Sequence, residues 1–257
     1  MEKFKITKIK SNSFEITEDS VVEEVPLKIV TGNKELATLL CTPRDIEDLA
    51  RGFLFTSGLI EKLSDIKKVN VDKKNWTAYI ELKDDSILKD MVFKQVYTSG
   101  GGKAALYDNA IDILKREKIT ATLPVKHTVI VTLMADFLKR SQLFLKTGAA
   151  HSAAIANDQN ILAFREDIGR HNAIDKIIGH SLKENIILED KILITSGRIS
   201  SEILLKAQKC KFPVIASKGA PTNQAVKLAR EIYITLVGFV RGSSMNIYSV
   251  PERIKPD

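Results

Sequence analysis

Three times between residues 191 and 244 a short apolar run ends in a loop of small residues that carries one cation. Lys191-Ile-Leu-Ile-Thr195 leads into Ser196-Gly197-Arg198 and a helix from Ser200 or Ser201. Pro213-Val-Ile-Ala216 leads into Ser217-Lys-Gly-Ala-Pro221 and a helix from Thr222. Thr235-Leu-Val-Gly-Phe-Val240 leads into Arg241-Gly242-Ser243-Ser244. Four- to six-residue apolar runs without polar alternation suit strands buried on both faces, and such strands alternating with helices make a parallel sheet. Read as strand, loop and helix three times over, the recurrence predicts an α/β unit.

The first part of the chain reads differently. Phe4–Ile9 alternates, Ser11-Asn12-Ser13 turns, and Val25–Val30 and Leu36–Cys41 flank the turn Thr31-Gly32-Asn33-Lys34. A helix is expected next, with Thr42 as cap, Pro43 in its first turn, Asp45 near its N-terminus and Gly58 at its end. Val69–Val71, Thr77–Leu82 and Met91–Tyr97 read as further strands. These patterns predict a β-rich part over 1–96 and an α/β domain over 97–257.

Composition narrows the function. The 257 residues are 44% apolar and 28% charged, an ordinary globular balance. No apolar window approaches the roughly 18 residues of a membrane span. The first residues lack the apolar core of a signal peptide. Two cysteines form no disulfide framework, so a cytoplasmic location is expected. The formal charge of +7 is spread among acidic residues, and aromatics are only 6%, which argues against a nucleic-acid polymer and leaves small anions open.

In open α/β sheets ligands sit beyond the carboxyl ends of the strands. Ser196, Gly197, Arg198, Lys218 and Arg241 all fall at such ends, where free amides and helix N-termini suit phosphate. The same glycines and caps are also what tight strand-to-helix turns require. Tyr97-Thr-Ser-Gly-Gly-Gly-Lys103 is a fourth glycine loop, but it lacks the spacing of a nucleotide-triphosphate loop. Thr147-Gly-Ala-Ala-His151-Ser152 leads into a strand, and Phe164 to Asn172 runs into a helix. His171 and Asp175, four apart, share a helix face, as do Asn172 and Lys176. His151 and His171 are candidate acid–base groups, in a nucleotide-acting enzyme for example. No Cys-x-x-Cys, zinc-deaminase or Gly-x-Ser-x-Gly signature occurs, so no metal site is expected. Cys41 and Cys210 read as small buried residues.

Five segments together resemble a known family: Thr42–Leu54, Thr147–Ala153, Arg165–Lys176, Thr195–Glu202, and Ala220-Pro-Thr222 with Gly238-Phe-Val-Arg-Gly242. The stretch Arg-Glu-Asp-Ile-Gly-Arg-His-Asn-Ala-Ile-Asp-Lys is the most specific. The chain resembles the FdhD family of formate dehydrogenase accessory and sulfur-carrier proteins. The resemblance implies a cytidine-deaminase-like α/β C-terminal domain and a homodimer. It implies sulfur taken from a cysteine desulfurase as a persulfide and passed to the molybdenum (or tungsten) bis(molybdopterin guanine dinucleotide) cofactor before formate dehydrogenase receives it. Guanosine diphosphate is a further expected ligand. The cofactor-contacting stretch of the family corresponds to Phe239, Val240, Arg241, Gly242, Ser243 and Ser244, with Lys103 at the end of the glycine loop. At one position the chain departs: Gly101 stands where the sulfur-carrying cysteine belongs, and glycine has no atom that forms a persulfide. A cofactor chaperone without sulfur transfer is therefore a second form of the same reading.

Overall fold

Burial along Val25–Thr31 alternates, with Val25, Leu27 and Ile29 inward and Lys28 outward, as a strand covered on one face requires. In the computed structural model, which describes residues 1–84 and 117–257 and the backbones of Gln95–Tyr97 (β7) and Lys103–Ala105 (β8), this strand is β3 of a four-stranded sheet. The sheet order is β4 (Lys34–Cys41), β3, β6 (Thr77–Leu82), β5 (Ile66–Asp72). β1 (Glu2–Lys10) and β2 (Ser13–Val21) form a separate hairpin.

The α/β part is a six-stranded sheet of order β11 (Ile161–Asp167), β10 (His151–Ala156), β12 (Ile192–Thr195), β13 (Val214–Ser217), β14 (Thr235–Arg241), β15 (Ser244–Ser249). The three recurring runs are its central strands, and β12, β13 and β14 are mutually parallel. Successive side chains point to opposite faces. Leu193, Ile215 and Leu236 face one layer; Ile194, Ala216 and Val237 face the other. The second face is covered by α2 (His127–Arg140) through Ile130, Leu133, Met134 and Phe137. The first is covered by α4 (Arg170–Lys183), α5 (Ser201–Lys209) and α6 (Asn223–Glu231). The short α3 (Gln142–Thr147) precedes β10, and β9 (Val125–Lys126) pairs with β16 (Ile254–Lys255). The fold is thus mixed α/β with several sheets.

Two expectations are corrected. The third recurrence is followed by the antiparallel strand β15 and not by a helix, because Arg241 to Ser244 close a tight turn with Gly242 at φ 55°. The helix expected from Thr42 begins at Ile46, as α1 (Ile46–Thr56), with Asp45 at its N-cap in the left-handed region at φ 52°. Thr42 does not cap it, because its amide and hydroxyl are engaged by Asp167. The α2 helix and the strand character of Phe164–Asp167 were not read from the sequence. The expected boundary between residues 96 and 97 falls inside β7. One apolar core nevertheless includes Leu27, Leu54 and Ile80 together with Ile174, Ile177 and Leu193.

That shared core depends on α1 lying directly on α4. A Cβ on Gly52 would stand 1.8 Å from the Asp175 carbonyl oxygen, and one on Gly179 would stand 1.9 Å from the Asp48 carbonyl oxygen. The helices cross with backbone against backbone, and only glycine fits at either position. Gly179→Ala therefore forces the helices apart. We expect a loss of at least about 3 kcal/mol and a fall in Tm of roughly 6 °C or more. Thermal unfolding followed by circular dichroism checks this, and an unchanged Tm would contradict the close crossing.

Candidate functional site

Strand direction brings the sequence candidates to one end of the sheet. β12 and β13 deliver Ser196 and Lys218 just beyond their carboxyl ends. β10 runs antiparallel to β12, so His151, its first residue, starts at that same end. His151 pairs across with Asp167, the last residue of β11, and Arg170 and His171 open α4 directly after it. The N-terminus of α5, with Ser200 at the N-cap position, follows the β12 loop. Two helix N-termini and their partial positive charge therefore meet here.

The side chains form a cationic cluster. His151 Nδ1 lies 3.2 Å from Ser196 Oγ, which also accepts the Ser152 amide at 3.0 Å. His171 Nε2 lies 3.3 Å from Glu202 Oε2. Burial, followed by the neighbouring Lys206, Arg170 and Arg198, pushes the His171 pKa down to about 3. Burial and then Arg170 push His151 down as well. Arg170 is itself lowered by burial and by Arg198. Both imidazoles are accordingly neutral near pH 7 in a strongly positive surrounding. Glu202 lies beside His171, and burial raises its pKa. Such a field favours an incoming anion for the same reason that it rejects a proton.

The expected His171–Asp175 pairing does not occur. Asp175 turns to Lys206 at 2.5 Å and to Thr56 Oγ1 at 2.7 Å, while His171 faces Glu202. Asn172 and Lys176 converge on Asp167. Lys176 Nζ, fully buried, is 2.6 Å from Asp167 Oδ2, and Asn172 Nδ2 donates to Asp167 Oδ1 at 2.9 Å. Arg165 points away to Asp48, with Nη2 2.8 Å from its Oδ2, and Glu166 accepts the Leu143 and Phe144 amides that open α3. Of the specific stretch 165–176, Arg170 and His171 reach the cluster and most of the rest holds the fold. Glu202 and Lys206 were missed. They sit a helical turn apart on α5, a spacing too common to single out.

The glycines of the loops serve close packing. A Cβ on Gly219 would stand 2.9 Å from the Gly197 carbonyl oxygen, and one on Gly238 would stand 3.1 Å from that of Gly219. Ser217 Oγ donates to the Gly197 oxygen at 2.6 Å, and the Phe239 amide to the Gly219 oxygen at 3.0 Å. The three loops are thus knitted side by side. Val240 is buried, while Arg241, Gly242, Ser243 and Ser244 form the exposed turn of the β14–β15 hairpin, with Arg241 over the Phe239 ring at 5.2 Å. Gly101 lies outside the described residues, and Lys103 is described only as backbone. Both cysteines are buried: burial pushes the Cys41 pKa up to about 12 and Cys210 upward too. Among the described residues no cluster of metal ligands occurs.

The depressed His171 has a consequence for stability. The folded state refuses the proton that the unfolded chain accepts below its ordinary value near 6.5. Its contribution is complete above that pH and falls as pH drops toward 3. We expect a loss of about 2 kcal/mol between pH 7 and pH 5, removed in His171→Gln. Urea unfolding of both proteins at the two pH values measures it, and equal pH slopes would contradict it.

Comparison with known proteins identifies the family. Residues 22–255 match the model of the FdhD/NarQ family. The chain is 38% identical over 239 residues to the sulfur carrier protein FdhD of Bacillus subtilis, covering 93% of this chain and 91% of that protein. It is 43% identical over 242 residues to the protein of the same name from Staphylococcus haemolyticus, with the same coverage. The crystal structure of a formate dehydrogenase accessory protein from Desulfotalea psychrophila has the same fold, with a TM-score of 0.82 at 23% identity over 99% of each chain. The family match spans both sheets, the buried Asp167–Lys176 pair and the cationic cluster, and on that extent the chain belongs to the FdhD/NarQ family.

Proposed function

We propose that the protein binds the bis(molybdopterin guanine dinucleotide) form of the molybdenum or tungsten cofactor as cargo, in the cytoplasm, on its way to formate dehydrogenase. The observation that carries this reading is the convergence of His151, Arg170, His171 and Arg198 beside the N-termini of α4 and α5. The guanine dinucleotide contains pyrophosphates, and a half-buried cationic site with neutral imidazoles suits them. Relatives named sulfur carrier proteins support the same pathway. We take the six-stranded unit as cytidine-deaminase-like, which its order and antiparallel leading strand support. We further take the protein as a homodimer that meets a cysteine desulfurase. An imidazole held neutral down to about pH 3 is a poor general acid, which weighs against a nucleotide-converting enzyme acting through His171.

In this role Arg198 and Arg241 neutralise phosphate oxygens. Arg198→Ala and Arg241→Ala should each weaken guanosine diphosphate binding about ten- to a hundredfold. Calorimetry decides: unchanged affinity in both variants removes the phosphate role.

Sulfur carriage is a separate matter. A persulfide needs an accessible thiolate, and the chain's two thiols are buried with raised pKa values. We infer that this protein handles the cofactor without carrying sulfur itself. After incubation with a cysteine desulfurase and cysteine, the native chain should release no thiocyanate on cyanolysis, and Gly101→Cys should gain that reaction. Sulfane sulfur on Cys41 or Cys210 of the native protein would overturn the inference.

A further inference from the structure

A carboxylate stands in the first turn of α5, where the helix end and its neighbours favour an anion. Glu202 is the second residue of the helix, and its side chain, 20% exposed, faces that of His171. Arg170 and Lys206 both attract its charge, and Lys206 is already paired with Asp175. Glu202 balances this charge without satisfying the donors beside it. His171 Nε2 is 3.3 Å from Glu202 Oε2 but out of line for a hydrogen bond, and this buried nitrogen has no other partner.

A second buried group beside it is also unsatisfied. Ser200, at the N-cap position, is only 5% exposed; it makes no side-chain cap bond, and its hydroxyl has no hydrogen-bond partner. Such a buried hydroxyl is costly to leave unmade. Ile199 before it is turned into the core. Alternation therefore puts Ser200 on the same side of this extended stretch as Arg198, whose charge acts on His171 and Arg170. The first intrahelical bond of α5 runs from the Leu204 amide to the Ser200 oxygen, so the amides of Ser201, Glu202 and Ile203 find no acceptor within the helix. A hydroxyl, an imidazole nitrogen and first-turn amides are the donors that a phosphate group takes at a helix N-terminus. A phosphate brings more acceptor oxygens and more charge than the carboxylate that lies there.

We propose that Glu202 is a built-in competitor of the ligand: its carboxylate holds the place of one phosphate group at the N-terminus of α5, and an incoming phosphate turns it out and takes Ser200 Oγ and His171 Nε2 as donors. The glutamate leaves by rotation about its own side-chain bonds, with no backbone movement required. The competitor also sets a threshold, because a ligand must bring more charge than the group it displaces. The proposal rests on the phosphate reading given above and names the residue that limits its strength.

Calorimetry with guanosine diphosphate on the full chain tests it. Glu202→Gln keeps the side chain's shape and removes its charge. It is expected to bind about tenfold more tightly than the native protein, the factor for a carboxylate that stands aside about one-tenth of the time. That advantage should narrow as the pH is lowered toward about 5, because burial makes the native carboxylate take up its proton early. The groups around it are Arg170 and His171 on α4 and Lys206 on its own helix, with His151 and Arg198 beyond His171. All of them are common to both proteins, so the ratio of affinities reports on Glu202. Ser200→Ala is an independent arm and should weaken binding about fivefold. Equal or weaker binding by Glu202→Gln, or unchanged binding by Ser200→Ala, overturns the proposal, while binding by the native protein leaves the phosphate reading standing. A native protein and a Glu202→Gln variant that both fail to bind overturn both.

Discussion

Asp167 and Lys176 are both fully buried, 2.6 Å apart, and the two parts of the fold meet at them. A buried ion pair is tolerated only when its remaining donors and acceptors are satisfied. Here they are. Asp167 Oδ2 accepts from the Thr42 amide and hydroxyl, and Oδ1 accepts from the Gly169 amide and Asn172. Lys176 also donates to Thr42 Oγ1 at 2.6 Å. Thr42 ends the N-terminal sheet, Asp167 ends β11, and Lys176 lies on α4. A single node thus fixes where the first sheet stops, where the helix starts, and how both lie relative to the strand end that carries His151.

The rest of the site inherits its geometry from that node. With Asp167 anchored and Gly169 turned toward it, Arg170 and His171 begin α4 beyond the strand ends, beside the loop that follows β12. Asn172 reaches back to the Leu40 carbonyl oxygen at 2.8 Å and holds the same turn from the other side. The glycines at 197, 219 and 238 then let the three loops pack side by side, and Arg198 comes within electrostatic range of Arg170 and His171. Cations held this near one another repel unless an anion or a carboxylate intervenes. Glu202 supplies part of that compensation, and the burial that depresses His171 keeps a further positive charge from forming.

The stretch 165–176 shows how a dense motif divides its labour. Arg165 ties β11 to α1 through Asp48, Glu166 caps α3, and Asp175 ties α4 to α5 through Lys206. Most of its polar residues are load paths between elements that lie far apart in the chain. Their density was legible as a sign of a site. Their division into holding and presenting residues was not, because partners 117 to 125 residues away, Asp48 and Thr42, are set by packing.

The amino-acid sequence by itself determined the local elements: the three apolar runs as parallel strands, Thr222 as the cap of α6, and the two cysteines as buried residues. Period, capping chemistry and hydrophobicity act within a few residues, so they can be read along the chain. It also determined that the position expected to hold a thiol holds Gly101. The tertiary structure alone decided that His171 faces Glu202 instead of Asp175, that Thr42 serves Asp167 instead of its own helix, and that β14 returns as a hairpin. Each of these choices is made between groups distant in sequence, where the cost of burying a charge or a polar group outweighs the preference of the nearest neighbour.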